Sequence, residues 1–494
     1  MTSLAETARD VDTVPPVNEL DVLIIGAGFS GLGVAALLDR AGLRSFRILE
    51  ASHDLGGTWR DNTYPGCACD IPSPLYSYSF DQKSDWTRLF APQPEILAYL
   101  HDVARRRGLT DRTRFGTQVA RADWDEAAAR WEVITTAGEH YRTRFLVTAV
   151  GALHHPVVPK LPGAETFAGP AFHSANWDHD LDLTGKRVAV IGTGASAIQF
   201  VPAIVDKVEA MAVFQRTAPW ILPKADRPTE PRHRLYRWYV RKRLFWIHEN
   251  RAAGFVRDPS KLAQTARYAR GLLKRQVPSE PLRELLTPDY AIGCKRLLIS
   301  NDWYPALTRP HVSVHTGSVR EVRPDAVVAA DGTVVPADVL IYGTGFDAHD
   351  NVTRMAITGR DGVRLTDAWR DGMAAYLGTT VTGFPNMFVM TGPNTGLGHN
   401  SQIVMIEAQA RHLLDCIQRV RRRGGRSIEV RAEVQTSYNE WIQQRMASTV
   451  WQSGGCRSWY QDPGTGRHTI LWPDTTIAFL RRTHRVRTAN FHLR

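Results

Sequence analysis

Two glycine clusters mark places where this chain could hold a phosphate. Gly26, Gly28 and Gly31 form G-x-G-x-x-G, and Gly192, Gly194 and Ala197 form G-x-G-x-x-A. Glycines at this spacing permit a tight turn and let backbone N–H groups at a helix N-terminus approach a pyrophosphate. Counting 24 positions on from the first glycine reaches Glu50 in one cluster and Arg216 in the other. A carboxylate there accepts hydrogen bonds from ribose hydroxyls and repels a 2′-phosphate, whereas a guanidinium binds that phosphate. The first site therefore suits FAD. The second, whose turn includes Ala195 and Ser196, prefers NADPH to NADH.

The surrounding sequence supplies the elements these turns require. DVLIIGAGFSGLGVAALLDRAGLRSFRILE reads as an apolar strand, a turn, a helix and a second strand ending at Glu50, and KRVAVIGTGASAIQFVPAIVDKVEAMAVFQR repeats the pattern. The expected fold is α/β, with two Rossmann-like dinucleotide-binding domains and a helical insertion. Residues 1–20 are expected to form a flexible N-terminus, 21–155 the first part of the FAD-binding domain, and 156–335 the NADPH-binding domain. Residues 336–494 then return to the FAD-binding domain. Strand-like WEVITTAG and TRFLVTAVGAL precede a Pro-rich connection, His154 to Gly163, and GFPNMFVMTGPNTG supplies a later strand and turn. From about 222 to 290 the Leu, Ala, Tyr and Arg runs lack strand punctuation and predict helices, whose Trp238, Tyr239, Phe245 and Trp246 could face a lipophilic substrate or lipid but are expected to serve core packing.

Composition narrows the class. The 494 residues are 43% hydrophobic and 22% charged, which suits two or three globular domains and excludes a disordered or fibrous chain. No long apolar run or signal peptide is evident, so the expected location is the cytoplasm. Five scattered cysteines suggest reduced thiols, and no metal site is expected. The net charge of +11 is concentrated in residues 221–290, where 16 Lys and Arg face 7 Asp and Glu. Such a surface could steer an anionic coenzyme or touch an acidic membrane. A solvated helical face is the plainer reading, with neither nucleic acid nor a peripheral membrane expected as partner.

Paired dinucleotide turns do not separate a disulfide reductase, an oxidase and a monooxygenase. Between the turns, Phe167, Gly169, His173, Trp177 and Asp178 give F-x-G-x-x-x-H-x-x-x-W-D, which resembles the fingerprint of type I Baeyer–Villiger monooxygenases. Relatives that oxygenate nitrogen or sulfur usually carry another aromatic in place of Trp177. GGTWRDNTYPGCACD, IGCKRLLISNDWYPAL and SGGCRSWYQDPGTG extend the resemblance from Asp21 to about Pro473, the last of them resembling a mobile C-terminal loop. Ala68 departs from it, standing where many relatives have arginine.

The resemblance implies that Thr58, Trp59, Asp70, Tyr76 and the Asn394 turn line FAD, that Arg216, Thr217 and Lys295 hold the NADPH phosphate, and that Trp459 is the loop tryptophan. His173 would be a hinge residue rather than a general base. NADPH would reduce FAD, and oxygen would add to flavin carbon 4a. The resulting peroxide would attack a ketone carbonyl, and the adduct would rearrange to an ester or lactone. Arg296 would keep the peroxide anionic, because guanidinium does not lose its proton in proteins, and Asp70 would orient it. Oxygenation of sulfur or nitrogen, and a non-oxygenating reductase using Cys67-x-Cys69, remain alternatives, as does a basic nucleic-acid-binding protein.

Overall fold

The strand Asn18–Ile25 begins polar and ends apolar, and its last four residues are buried. The computed structural model describes residues 17–231, 233–349 and 351–494; most of the N-terminus expected to be flexible lies outside them. Asn18–Ile25 runs parallel to both neighbours, Phe46–Leu49 and His140–Thr148, with Val22 opposite Phe46 and Phe145. Helix Phe29–Arg40 follows the first turn. It is small-residue-rich and buried along most of its length, because helix Gln402–Arg422 packs over it.

The first sheet runs in the order 356–358, 119–125, 130–135, 140–148, 18–25, 46–49 and 113–114, with 387–389 pairing onto 140–148. The second is wholly parallel, in the order 312–316, 210–215, 187–191, 339–342 and 171–173. Its central strands, RVAVI, AMAVFQ and VLIY, are near-continuous apolar runs, as a sheet covered on both faces requires. The α/β class with two Rossmann-type units is thus observed. His155–Pro156 pairs antiparallel with Phe346–Asp347, tying together two segments that lead between the sheets.

Residues 234–285 are helical, in Arg234–Val256, Ala263–Gln276 and Glu280–Leu285. The core role expected of their aromatics is overturned at three positions: Trp238, Tyr239 and Trp246 are exposed, and only Phe245 is partly covered. In the first half of the helix the inward positions are taken by arginines instead, while Ala252, Phe255 and Val256 are buried in the second half. Arg237 donates to the Gln82 carbonyl at 2.6 Å, and Arg241 donates to the Pro74 and Ser77 carbonyls at 2.7 and 2.9 Å.

The thiol reading also requires correction. Cys294 and Cys456, 162 residues apart in sequence, form a disulfide. The fold makes this pairing accessible by laying the segment before Lys295 against the C-terminal loop, where the Ala291 N–H donates to the Gly454 carbonyl at 3.0 Å.

Candidate active site

Gly26 adopts φ +104°, and a Cβ there would lie 2.6 Å from the Ala149 carbonyl oxygen. A Cβ on Gly31 would meet the Gly26 oxygen at 1.9 Å, so this helix can approach its strand only with glycine present. Gly28 starts the helix. No side chain caps that end and its first turn carries no acid, which leaves N–H groups available to a pyrophosphate. Glu50 stands beside the turn: Oε2 accepts from the Ala27 N–H at 2.7 Å, and Oε1 accepts from Ser52 N–H and Arg60 Nη1 at 3.0 Å.

Next to this turn, Thr58 and Trp59 lie on the short helix Thr58–Asp61. The Trp59 indole N–H donates to the Tyr76 hydroxyl at 3.1 Å, and their rings meet edge-on at 5.6 Å. Burial pushes the Tyr76 phenol above its ordinary range. Asn394 takes a left-handed φ of +55°. Its side-chain amide donates to the His468 and Leu471 carbonyls at 2.8 and 3.0 Å, so it pins the turn to the C-terminal segment.

The second turn repeats the first. Gly192 has φ +104°, and a Cβ on it would lie 2.4 Å from the Gly343 oxygen. Gly194, Ala195 and Ser196 lead into helix Ala197–Ile204, whose N-terminus again has neither a side-chain cap nor an acid in its first turn. At the end of strand Ala210–Gln215 come Arg216, exposed, and Thr217. Lys295 is held near Arg216: burial, then repulsion from that guanidinium, lowers its pKa. Among the described residues neither cation has a salt-bridge partner, although Lys295 Nζ sits 4.7 Å from the Tyr290 ring centroid. Two cations brought together without a salt bridge, with Asp289 in electrostatic reach of Lys295, fit a phosphate dianion.

Directly after Lys295, Arg296 donates from Nε and Nη2 to Asp70 Oδ2, at 2.8 and 2.5 Å. The Asp70 carboxylate holds the Arg296 pKa above its ordinary value, against the effect of burial. The arginine nevertheless keeps 37% of its side chain accessible, so it can still meet a reacting group. Both nucleotide turns, a phosphate-ready cation pair and an orientated guanidinium therefore belong to one molecule, with Lys295 and Arg296 adjacent in the chain.

Residues 20–350 match the family described as flavin-binding monooxygenase-like. A protein named Baeyer–Villiger monooxygenase from Pseudomonas aeruginosa is 45% identical over 96% of this chain and 91% of its own length. The chain belongs to the flavin-binding monooxygenase-like family, in its Baeyer–Villiger branch. Among solved structures, a closed crystal structure of cyclohexanone monooxygenase superposes with TM-score 0.87 at 29% identity, over 97% of this chain and 100% of that one. An oxidized steroid monooxygenase bound to NADP gives 0.86 at 29% identity, over 96% and 99%.

In this Baeyer–Villiger member the fingerprint occupies the seam between the sheets. Phe167 packs against the second unit's core, and a Cβ on Gly169 would lie 2.1 Å from the Asp338 oxygen. His173 ends strand Ala171–His173, buried, its Nδ1 accepting from the Ala175 N–H at 3.1 Å and its ring 5.5 Å from Phe346 of the crossing segment. Burial lowers its pKa, favouring neutral imidazole. Trp177 packs on Phe172 and Phe200 at 5.4 and 5.3 Å, while Asp178 accepts from the Asp180 N–H at 3.1 Å.

Two residues of this site escaped sequence reasoning. Tyr460, buried, lies close enough to Arg296 to interact electrostatically, and burial pushes its phenol up to about 12. Its neighbour Trp459 is 40% exposed and packs on Tyr460 at 4.6 Å. Gln199, in the second unit's helix, accepts from the Tyr64 hydroxyl at 3.0 Å and donates to the Ala68 carbonyl at 3.0 Å, clasping the two units together. Cys67 and Cys69 are buried free thiols. Burial raises Cys67 to about 11 and Cys69 higher, the opposite of the lowered thiol pKa that a redox dithiol uses.

Proposed function

We propose that this protein inserts one atom of O2 beside a ketone carbonyl, giving an ester or lactone, with FAD and NADPH as its cofactors. The observation that carries the reading is Arg296 forked onto Asp70, with the cation pair Lys295 and Arg216 beside it. When bound, FAD reduced by NADPH supplies the electrons that activate oxygen.

The chain's own residues do the rest. The uncapped helix N-termini after Gly28 and Ser196 meet the two pyrophosphates, and Glu50 stands where the FAD ribose hydroxyls come. Arg216, Thr217 and Lys295 take the NADPH 2′-phosphate. Arg296 keeps its proton and offsets the negative charge on the oxygen that attacks the carbonyl, while Asp70 fixes the direction of the guanidinium. Tyr460, buried within electrostatic reach of Arg296, helps close that side of the site to water. Among the described residues no helix is long and apolar enough to cross a membrane. Dependence on NADPH supports a cytoplasmic location.

The test is product analysis with one ketone and one thioether under labelled O2. Ester carrying a single labelled atom supports the reading. Sulfoxide alone would move the protein to the sulfur-oxygenating type, and unlabelled products would remove it from the monooxygenases.

A further inference from the structure

Helix Arg234–Val256 carries large apolar side chains that stand exposed, and their chemistry points to a partner. Leu235 is 75% exposed, Trp238 61%, Tyr239 56% and Trp246 52%. Positions 235, 239, 242 and 246 recur every three or four residues and so form one stripe of the helix. Lys242 and Arg243, both exposed, flank the aromatics. Among the described residues no carboxylate pairs with either, or with Arg234. The helix carries a single acid, Glu249, which is buried and accepts from the Ile477 N–H at 2.9 Å, facing inward. Arg237 and Arg241 are spent on backbone carbonyls, so the inner face is anchored and the outer one is free of that duty.

A groove of about 930 Å³ adjoins the helix, lined by Arg40, Arg234 and Lys242 together with the apolar Phe80 and Leu414. Its one acid, Asp81, is already held by Arg106 and Arg107 at 2.7 and 2.9 Å. A basic groove beside a stripe of tryptophan, tyrosine and leucine matches a medium that is anionic at its surface and apolar beneath. Amphipathic rings settle at such a boundary, and lysine and arginine pair with its phosphates. A second copy of this face would bring like charges together, and a nucleic acid would leave Leu235 without an apolar partner.

We propose that this face docks the protein reversibly on an anionic phospholipid bilayer, with the helix lying in the interface plane. The test is co-sedimentation of the full-length, FAD-loaded protein with vesicles of phosphatidylcholine, with and without phosphatidylglycerol. Binding is expected only to the phosphatidylglycerol vesicles. It should weaken by about tenfold or more in the double variant Lys242→Glu, Arg243→Glu, and also in Trp238→Ser, Trp246→Ser. If the tryptophan variant loses FAD, the charge variant decides alone. The proposal is overturned if the parent protein stays in the supernatant with anionic vesicles, or if the charge variant sediments as the parent does. A vesicle-free dimer that Trp246→Ser disperses would assign the face to a second copy and overturn it equally.

Discussion

Removing Arg216 should weaken the enzyme's preference for the coenzyme that carries a 2′-phosphate. The structure shows two cations, Arg216 and Lys295, close enough that repulsion contributes to lowering the Lys295 pKa, with no salt-bridge partner to neutralise either. A hydrogen bond to a charged group contributes about 1.5–3 kcal/mol, so Arg216→Ala should raise the KM for NADPH by about 10- to 150-fold. NADH lacks that phosphate, and its KM should move little. Lys295 stays beside the site and should retain part of the preference for the phosphate. The loss in a variant lacking both cations should accordingly exceed that of Arg216→Ala, and the two single losses should not add, since both groups serve one phosphate. Steady-state kinetics with each coenzyme, under a saturating ketone, provide the assay. Equal use of NADH and NADPH by the parent, or equal loss of both in Arg216→Ala, would refute the assignment of the second site.

His173→Ala should slow turnover while FAD stays bound, because the residue lies beside a crossing segment and away from the Arg296–Asp70 pair; flavin absorbance after gel filtration decides, and loss of flavin would count against a hinge role. Opening the Cys294–Cys456 disulfide, which closes a 162-residue loop, removes up to about 5 kcal/mol of stabilisation on a chain-entropy basis. Cys456→Ser should therefore unfold at a lower temperature, and a reductant should bring the parent down with it; a reductant-insensitive parent would show the thiols unpaired. His412 and His468 are buried, and burial lowers each to about 4 in the folded protein. An unfolded histidine titrates at about 6.5, so the unfolded chain binds more protons between these values and stability falls as pH drops through them, by about 3 kcal/mol per residue. His412→Phe should flatten that part of the profile of unfolding temperature against pH, and an unchanged slope would contradict the burial argument.

The residues legible in sequence were those whose roles are set by local spacing. Gly26, Gly28, Gly31 and Glu50 lie within one βαβ unit, and so do Gly192, Gly194 and Arg216, so chain geometry alone brings them to one turn. The Arg296–Asp70 pair spans 226 positions, and only the resemblance of the flanking segments pointed to it. Tyr460 and Gln199 were not legible, because their roles depend on how the C-terminal loop and the two units dock. Nor was the disulfide, whose cysteines are brought together by that same docking. The outward aromatics of Arg234–Val256 were misassigned because an apolar residue on a helix is ordinarily a core residue. Here, in the first half of the helix, Arg237 and Arg241 bonded to carbonyls take inward positions and the aromatics stand outward.

The proposed assignment of Arg296, orientated by Asp70, is to oxygen transfer to the carbonyl and not to delivery of electrons from NADPH. Its most direct test measures NADPH consumed, ester formed and hydrogen peroxide released in one reaction, for the parent, Arg296→Ala and Arg296→Lys. Arg296→Ala should still bind both nucleotides and still oxidise NADPH. Ester should fall by about 100-fold or more, as on losing an oxyanion donor, with hydrogen peroxide taking its place. Lysine should rescue only part of the ester, since an ammonium lacks the planar fork that Asp70 holds. Ester formed by Arg296→Ala at the parent's ratio to NADPH consumed would rule out this role for the guanidinium.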